Sequence, residues 1–225
     1  MNFKTKMAAS LALLLALAAP AGEVIHERIE WSEMWVTNAD REVETRVLLV
    51  GDSIVRGYYA GVEKALGDDV SCARYTTSKF LDHPDFLPEL GLVLKRFNFD
   101  VIHLNNGLHG WGYTEEQYRE GVEALMNYLG EKAPEAKLIW GMTTPVRIGN
   151  HIETVDEEKT GRVVARNRIA LKIMGRLGVA VNDLFGLSAD HTEHFAQDGV
   201  HFSEAGKTAQ ADQVASAIRG ALAPG

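Results

Sequence analysis

The stretch Arg46-Val47-Leu48-Leu49-Val50-Gly51-Asp52-Ser53-Ile54 decides the fold. Val47 to Val50 is an unbroken apolar run closed by a glycine, and that is how a strand buried on both faces reads. A strand with one wet face would alternate instead. Working outward, four further short runs of this kind occur, at 70–75, 101–104, 138–143 and 179–184, each separated from the next by enough chain for a helix. Helical spacing fills the gaps, in Tyr118, Val122, Leu125, Met126 and Leu129, and again in Val164, Leu171, Met174 and Leu177. Strands alternating with helices predict a parallel sheet, and right-handed crossovers put helices on both of its faces. The expected fold class is therefore α/β, a three-layer α/β/α sandwich around a five-stranded parallel sheet. The last helix is predicted to start at Ser203 as N-cap, with Glu204 in its first turn, and to lay Ala211, Val214, Ile218 and Leu222 on the sheet.

Residues 1–21 read as a signal peptide. Lys4 and Lys6 precede the apolar run Leu11 to Ala19, and Ala19-Pro20-Ala21 is a small-residue cleavage site, with the cut expected near Gly22. The run is too short and too rich in alanine for a membrane span, so no stable membrane insertion is expected after cleavage. The expected location is secreted or periplasmic. Residues 22–225 are of a length suited to one domain with a sizeable core. Within it, residues 22–45 form an arm in which Trp31 and Trp35 stand among mixed charges, and the pattern fits either a short strand or an irregular segment. Taking Lys4 and Lys6 from the 23 basic residues leaves 21 against 31 acidic ones and moves the formal charge from -8 to about -10, a poor surface for nucleic acid. Cys72 is the single cysteine, so there is no internal disulfide; within Val70-Ser71-Cys72-Ala73 it reads as a buried, inert thiol. No feature of the sequence fixes an oligomeric state.

In an open parallel sheet the ligand crevice lies beyond the carboxyl ends of the strands. Three polar blocks fall there: Gly51-Asp52-Ser53-Ile54, Asn105-Asn106-Gly107-Leu108-His109, and Asp198-Gly199-Val200-His201 before the final helix. A serine hydroxyl is a poor nucleophile until a base accepts its proton, and an imidazole needs a partner on its other nitrogen to hold the right tautomer. The first and last blocks contain the residues for this. Their order, with Asp198 to His201 entering the last helix through Phe202-Ser203-Glu204-Ala205-Gly206, resembles the SGNH (GDSL-type) hydrolase family over essentially the whole chain after the signal. The resemblance implies an SGNH, flavodoxin-like sandwich and a serine ester hydrolase. It makes Ser53 the nucleophile, His201 its base and Asp198 the residue that orients His201, with no cofactor. The absence of a second glycine in Gly51-Asp52-Ser53-Ile54-Val55 sets this motif apart from the G-x-S-x-G elbow of α/β-hydrolases.

The oxyanion of an acyl transfer needs hydrogen-bond donors. Ser53, where a strand turns into a helix, offers its own backbone N–H. The resemblance implies a second donor from a backbone glycine after the second strand and a third from an asparagine after the third. This chain departs from that pattern. It reads Arg74-Tyr75-Thr76-Thr77-Ser78 at the second place, which aligns Thr77 or Ser78 there, and Leu104-Asn105-Asn106-Gly107 at the third, which makes Asn106 the candidate with Asn105 one residue of register away. His109 and Trp111 border the same block as candidate substrate-binding residues, Trp111 as a stacking face for a sugar ring; His103 reads as a core strand residue. Asp190, His191, His194, Asp198 and His201 are crowded enough to raise a metal hydrolase, but neither a His-Glu-x-x-His helix nor a cysteine pair is present, and no metal is expected.

The expected function is an exported serine esterase that removes short acyl groups, acetyl foremost, from a small-molecule or polysaccharide ester. The alternatives are a lipid- or thioester-directed hydrolase of the same family and a non-catalytic carbohydrate-binding module on the same scaffold.

Overall fold

A computed structural model describes residues 24–223; the expected signal segment, 1–21, lies outside them. The strands are β1 (Ser32–Val36), β2 (Arg46–Gly51), β3 (Ser71–Thr77), β4 (Val101–Leu104), β5 (Lys137–Gly141), β6 (Arg147–Ile148), β7 (His151–Val155) and β8 (Ala180–Asn182). The helices are α1 (Ser53–Leu66), α2 (Phe86–Leu94), α3 (Glu115–Lys132), α4 (Glu157–Leu177), α5 (Leu184–Ala189) and α6 (Glu204–Leu222), with a 3-10 turn at Thr192–His194. The main sheet runs β1-β3-β2-β4-β5-β8. Its last five strands are parallel, as the sequence predicts.

β2 shows why the apolar run is continuous. Val47 and Leu49 point into a core made with α1, α5 and α6, whereas Leu48 and Val50 point into a second core made with α2, α3 and α4. All four side chains are buried, and each such burial contributes about 1.5–3 kcal/mol. A polar substitution anywhere in the run would therefore open one of two cores.

Two expectations are corrected and one element is new. The sheet has a sixth strand: the arm supplies β1, antiparallel to β3 at the edge. Met34 and Trp35 remain exposed there and Glu33 pairs with Arg56 and Arg74, so the strand lacks the apolar signature of a core element and carries the charge that edge strands use against further pairing. Second, α4 does not bury the stripe Val164, Leu171 and Leu177, all of which are exposed; it buries Val163, Arg166, Asn167, Ala170, Ile173 and Met174. Two polar residues belong to its inner face because they bond backbone groups of the site loops. Third, the fragment between β5 and α4 contains the hairpin β6–β7, too short to show in a periodicity. Cys72 is buried as expected, and burial pushes its thiol up to about 12. His103 is buried in the sheet, where burial lowers its pKa to about 4 and leaves it neutral. No helix among the described residues is long and apolar enough to cross a membrane.

Candidate active site

Ser53 opens α1 directly after β2, and Asp52 caps the helix, its Oδ1 accepting from the Ile54 N–H at 2.9 Å. Gly51 is required by space: a Cβ there would sit 2.3 Å from Val55 Cγ2 and 3.0 Å from the Asn105 carbonyl. The strand can thus end tightly against the loop that follows β4. Asp52 is fully buried, and burial raises its pKa, against the opposing influence of His109, the Ile54 N–H and His201.

The other half of the site is a tight turn before α6. Asp198 Oδ1 accepts from the backbone N–H groups of Val200 (2.9 Å) and His201 (2.8 Å), which closes the turn on itself. Gly199 sits at φ +75, and a Cβ on it would run into the Arg147 carbonyl. An Ala196 N–H to His201 C=O bond (2.8 Å) and the packing of Phe195 on Phe202 zip the base of the turn. The β6–β7 hairpin braces it from outside, through Arg147 N–H to Gly199 C=O and Asn150 N–H to Gln197 C=O, both 2.7 Å. Ser203 caps α6 at the Gly206 N–H.

α1 and α6 pack closely, Gly61 leaving room for Ala211, so their starts stand side by side. The result joins residues 148 positions apart: Ser53 Oγ lies 2.9 Å from His201 Nε2, and His201 Nδ1 lies 2.7 Å from Asp198 Oδ2. A carboxylate can only accept, so Nδ1 carries the ring proton and Nε2 presents its lone pair to the serine hydroxyl. Against the upward pull of partial burial, the His201 ring and the two backbone N–H groups hold Asp198 below the usual carboxylate range. It stays an acceptor at neutral pH. The side chains of His201 and Asp198 are about half exposed, at 49% and 52%, so the line opens onto a surface shelf.

The oxyanion candidates separate. The Ser78 N–H donates to the Trp31 carbonyl at 3.1 Å, and Ser78 Oγ accepts from the Trp31 N–H at 2.9 Å. Ser78 is therefore committed to the arm and drops out as a donor. Backbone groups alternate sides along a strand, which turns the Thr77 N–H the other way, into the ladder with β2, while Thr77 Oγ1 bonds Trp31 and Ser32. Asn105 also points away: its amide donates to Gly141 C=O at 2.9 Å, tying β4 to β5. Asn106 reaches in the opposite direction, donating to Lys79 C=O at 3.2 Å from the far side of β2, and so its amide bridges over the strand end that bears Ser53. That bond uses one amide hydrogen and leaves the other for a ligand.

His109 and Trp111 are held by residues that the sequence reading did not single out. Glu27, on the arm, accepts from His109 Nδ1 at 2.8 Å and from the Gly110 N–H at 2.9 Å. Arg166 is fully buried and donates to the carbonyls of Gly107 (2.9 Å), His109 (2.7 Å) and Gly110 (2.9 Å). Its guanidinium also lies 5.0 Å from the Trp111 ring, and that of Arg162 lies 5.7 Å away, so this indole already serves as a platform for two cations. The stripe read from the sequence, Val164, Leu171, Met174 and Leu177, did not mark the inner face that Arg166 belongs to, so Arg166 carried no signal. Glu27 gave none, because its partners lie more than 80 residues away. The cluster of Asp190, His191, His194, Asp198 and His201 is divided: the last two face Ser53, while His191 and His194 stack on each other beside Glu193.

No family model matches the chain, and no curated protein does. Solved structures do. An aryl esterase of M. smegmatis superposes with a TM-score of 0.64 at 16% identity, covering 78% of this chain and 99% of that one. A lipase/acylhydrolase from Enterococcus faecalis gives 0.62 at 22% identity, over 78% of this chain and 96% of its own. A carbohydrate acetylesterase family member from Sinorhizobium meliloti gives 0.63 at 17% identity, over 79% and 99%. Parallel strands in the order β3-β2-β4-β5-β8, a serine at the end of β2, and near full-length superposition on these proteins together give this chain the SGNH hydrolase fold.

Proposed function

We propose that the chain is a serine ester hydrolase working through an acyl-enzyme on Ser53. The observation that carries this reading is the unbroken line from Ser53 Oγ through the His201 ring to Asp198. As Oγ attacks the ester carbonyl, its proton passes to His201 Nε2, and the new imidazolium is stabilised by Asp198. The carbonyl oxygen becomes an oxyanion beside the Ser53 N–H at the start of α1, with the Asn106 amide as a further donor. His201 then returns the proton to the departing alcohol, leaving the acyl group on Oγ. Water attacks the acyl-enzyme by the same steps, and the acid is released with Ser53 restored. No step calls on a cofactor.

The substrates we assign are short acyl esters, acetyl foremost, on carbohydrates. The half-exposed side chains of His201 and Asp198 suit a bulky alcohol. The acetylesterase among the similar folds fits the same class. The expected signal peptide places this work outside the cytoplasm. Ser53→Ala should keep the circular-dichroism spectrum and Tm of the parent while removing nearly all turnover of a p-nitrophenyl acetate reporter. Undiminished turnover would take Ser53 out of the mechanism. Comparison of acetyl with octanoyl and longer esters tests the acyl preference, and a strong bias to long chains would overturn it.

A further inference from the structure

Two histidine–carboxylate clusters outside the catalytic line have ligand atoms close enough to share an ion: His26, Glu30 and His83, and His191, Glu193 and His194. Imidazole and carboxylate together are zinc ligands, but each imidazole must offer a nitrogen lone pair. The first cluster fails that condition. His83 Nδ1 accepts the Asp85 N–H at 3.1 Å, so the ring proton of the neutral form resides on Nε2, the atom that faces Glu30 at 3.8 Å. Coordination there would need the backbone bond to break.

The second cluster meets it. His191 Nδ1 lies 2.8 Å from Glu193 Oε1, an arrangement in which a metal ion can replace the shared proton, and the His194 ring has no hydrogen-bond partner among the described residues. The two rings stack with centroids 4.6 Å apart and planes 20° from parallel, and the ligand atoms of all three residues lie within 4.8 Å of one another. Zinc ligands at about 2.0 Å in tetrahedral geometry stand about 3.3 Å from each other. Rotation of the exposed His191 and Glu193 side chains covers that difference. The site would be open on its solvent side, leaving a position for water.

We propose that His191, Glu193 and His194 form a divalent transition-metal site of the zinc type, structural in role, on the turn that supports the Asp198–His201 loop. The connection is through backbone: Ser203 Oγ donates to the Glu193 carbonyl and the Ser203 N–H to the His194 carbonyl, both at 2.8 Å, two residues beyond His201. An ion across the three side chains would clamp the entry to that loop. It touches none of the reacting atoms, and the proposal stands whether or not the chain is an esterase.

The test titrates chelator-stripped full-length protein with Zn2+ by calorimetry and by differential scanning. One tight zinc event and a higher Tm are expected for the parent, since an ion that binds only the folded state stabilises it. His191→Ala and His194→Ala should each weaken that event by at least about tenfold, as removing even an outer partner of a metal ligand does so, and the double variant should lose both the event and the Tm shift. His151→Ala, at an exposed histidine elsewhere, should change neither. Absence of tight zinc binding to the parent, or its survival in the double variant, would overturn the assignment. Loss of ester hydrolysis on stripping the metal with Tm unchanged would overturn the structural role.

Discussion

The two sides of the Ser53 site are built differently. The base side is local: Asp198, Gly199, Val200 and His201 fold on themselves through hydrogen bonds spanning two or three residues, and Ser203 caps the helix that follows. The oxyanion side is assembled from afar. Trp31 occupies Ser78, Glu27 holds His109 and Gly110, and Arg166 ties down three carbonyls of the loop after β4, all across separations of about 47 residues or more. A site can thus combine a half that its own residues specify with a half that depends on the completed fold. The first should be sensitive to single polar atoms, the second to whatever loosens the arm or α4.

The largest effect is expected on the local side. Asp198→Asn keeps an oxygen for the two backbone N–H groups but turns an N–H toward His201 Nδ1, which favours the wrong tautomer and removes the charge facing the imidazolium. A loss of about 10⁴-fold in kcat with little change in Tm is expected, read by steady-state kinetics on an acetyl ester. A loss below tenfold would mean that the line of hydrogen bonds is not the working one.

A smaller effect separates the two asparagines. Asn106→Ala should cost about a hundred- to a thousandfold in kcat with KM little altered, the signature of a donor used in the transition state. Asn105→Ala, which cuts the tie to Gly141, should instead lower stability by about 1–3 kcal/mol. Equal kinetic losses in both would erase the distinction between them.

The smallest effect concerns the arm. Burial alone would raise the pKa of Glu27 and lower that of His109, yet their mutual hydrogen bond and attraction, helped by the Gly110 N–H and Arg166 at Glu27 and by Asp52 at His109, together outweigh it, so Glu27 lies below its ordinary value and His109 above its own. Asp52 and Glu27 favour the charged imidazole and Arg166 opposes it. Stability from the raised histidine is full below the unfolded value of 6.5 and is lost as pH rises through the higher folded value. Stability from the lowered carboxylate is full above 4.5 and is lost as pH falls through the lower folded one. The stability difference between the parent and Glu27→Gln should therefore peak between pH 4.5 and 6.5 and shrink on either side, as urea denaturation across pH can show. A difference that stays flat from about pH 5 to about pH 9 would remove the charged pair from the account.

Much of the fold was legible because a residue buried on both faces of a sheet must be apolar whatever its neighbours are. Val47 to Val50 carries that requirement in four adjacent letters. β1 was not legible, because an edge strand with one exposed face and charged partners has no such constraint. α4 misled for a related reason: Val164, Leu171 and Leu177 have helical spacing, but Arg166 and Asn167 have backbone groups to satisfy, and this overrides apolarity in choosing the inner face. Ser78 and Thr77 could not be judged, because what takes up their N–H groups, a carbonyl of Trp31 in one case and β2 in the other, lies far away in the chain.

Sequence alone determined the parallel core and the two short polar blocks at its ends, since apolar runs, tight turns and helix caps are set by interactions within a few residues. The tertiary structure alone decided that His201 reaches Ser53, that Asn106 rather than Asn105 spans the end of β2, and that the arm closes one flank of the site. Those outcomes depend on distances between segments far apart in the chain, which only the packing of α1 on α6 and of β1 on β3 brings into being.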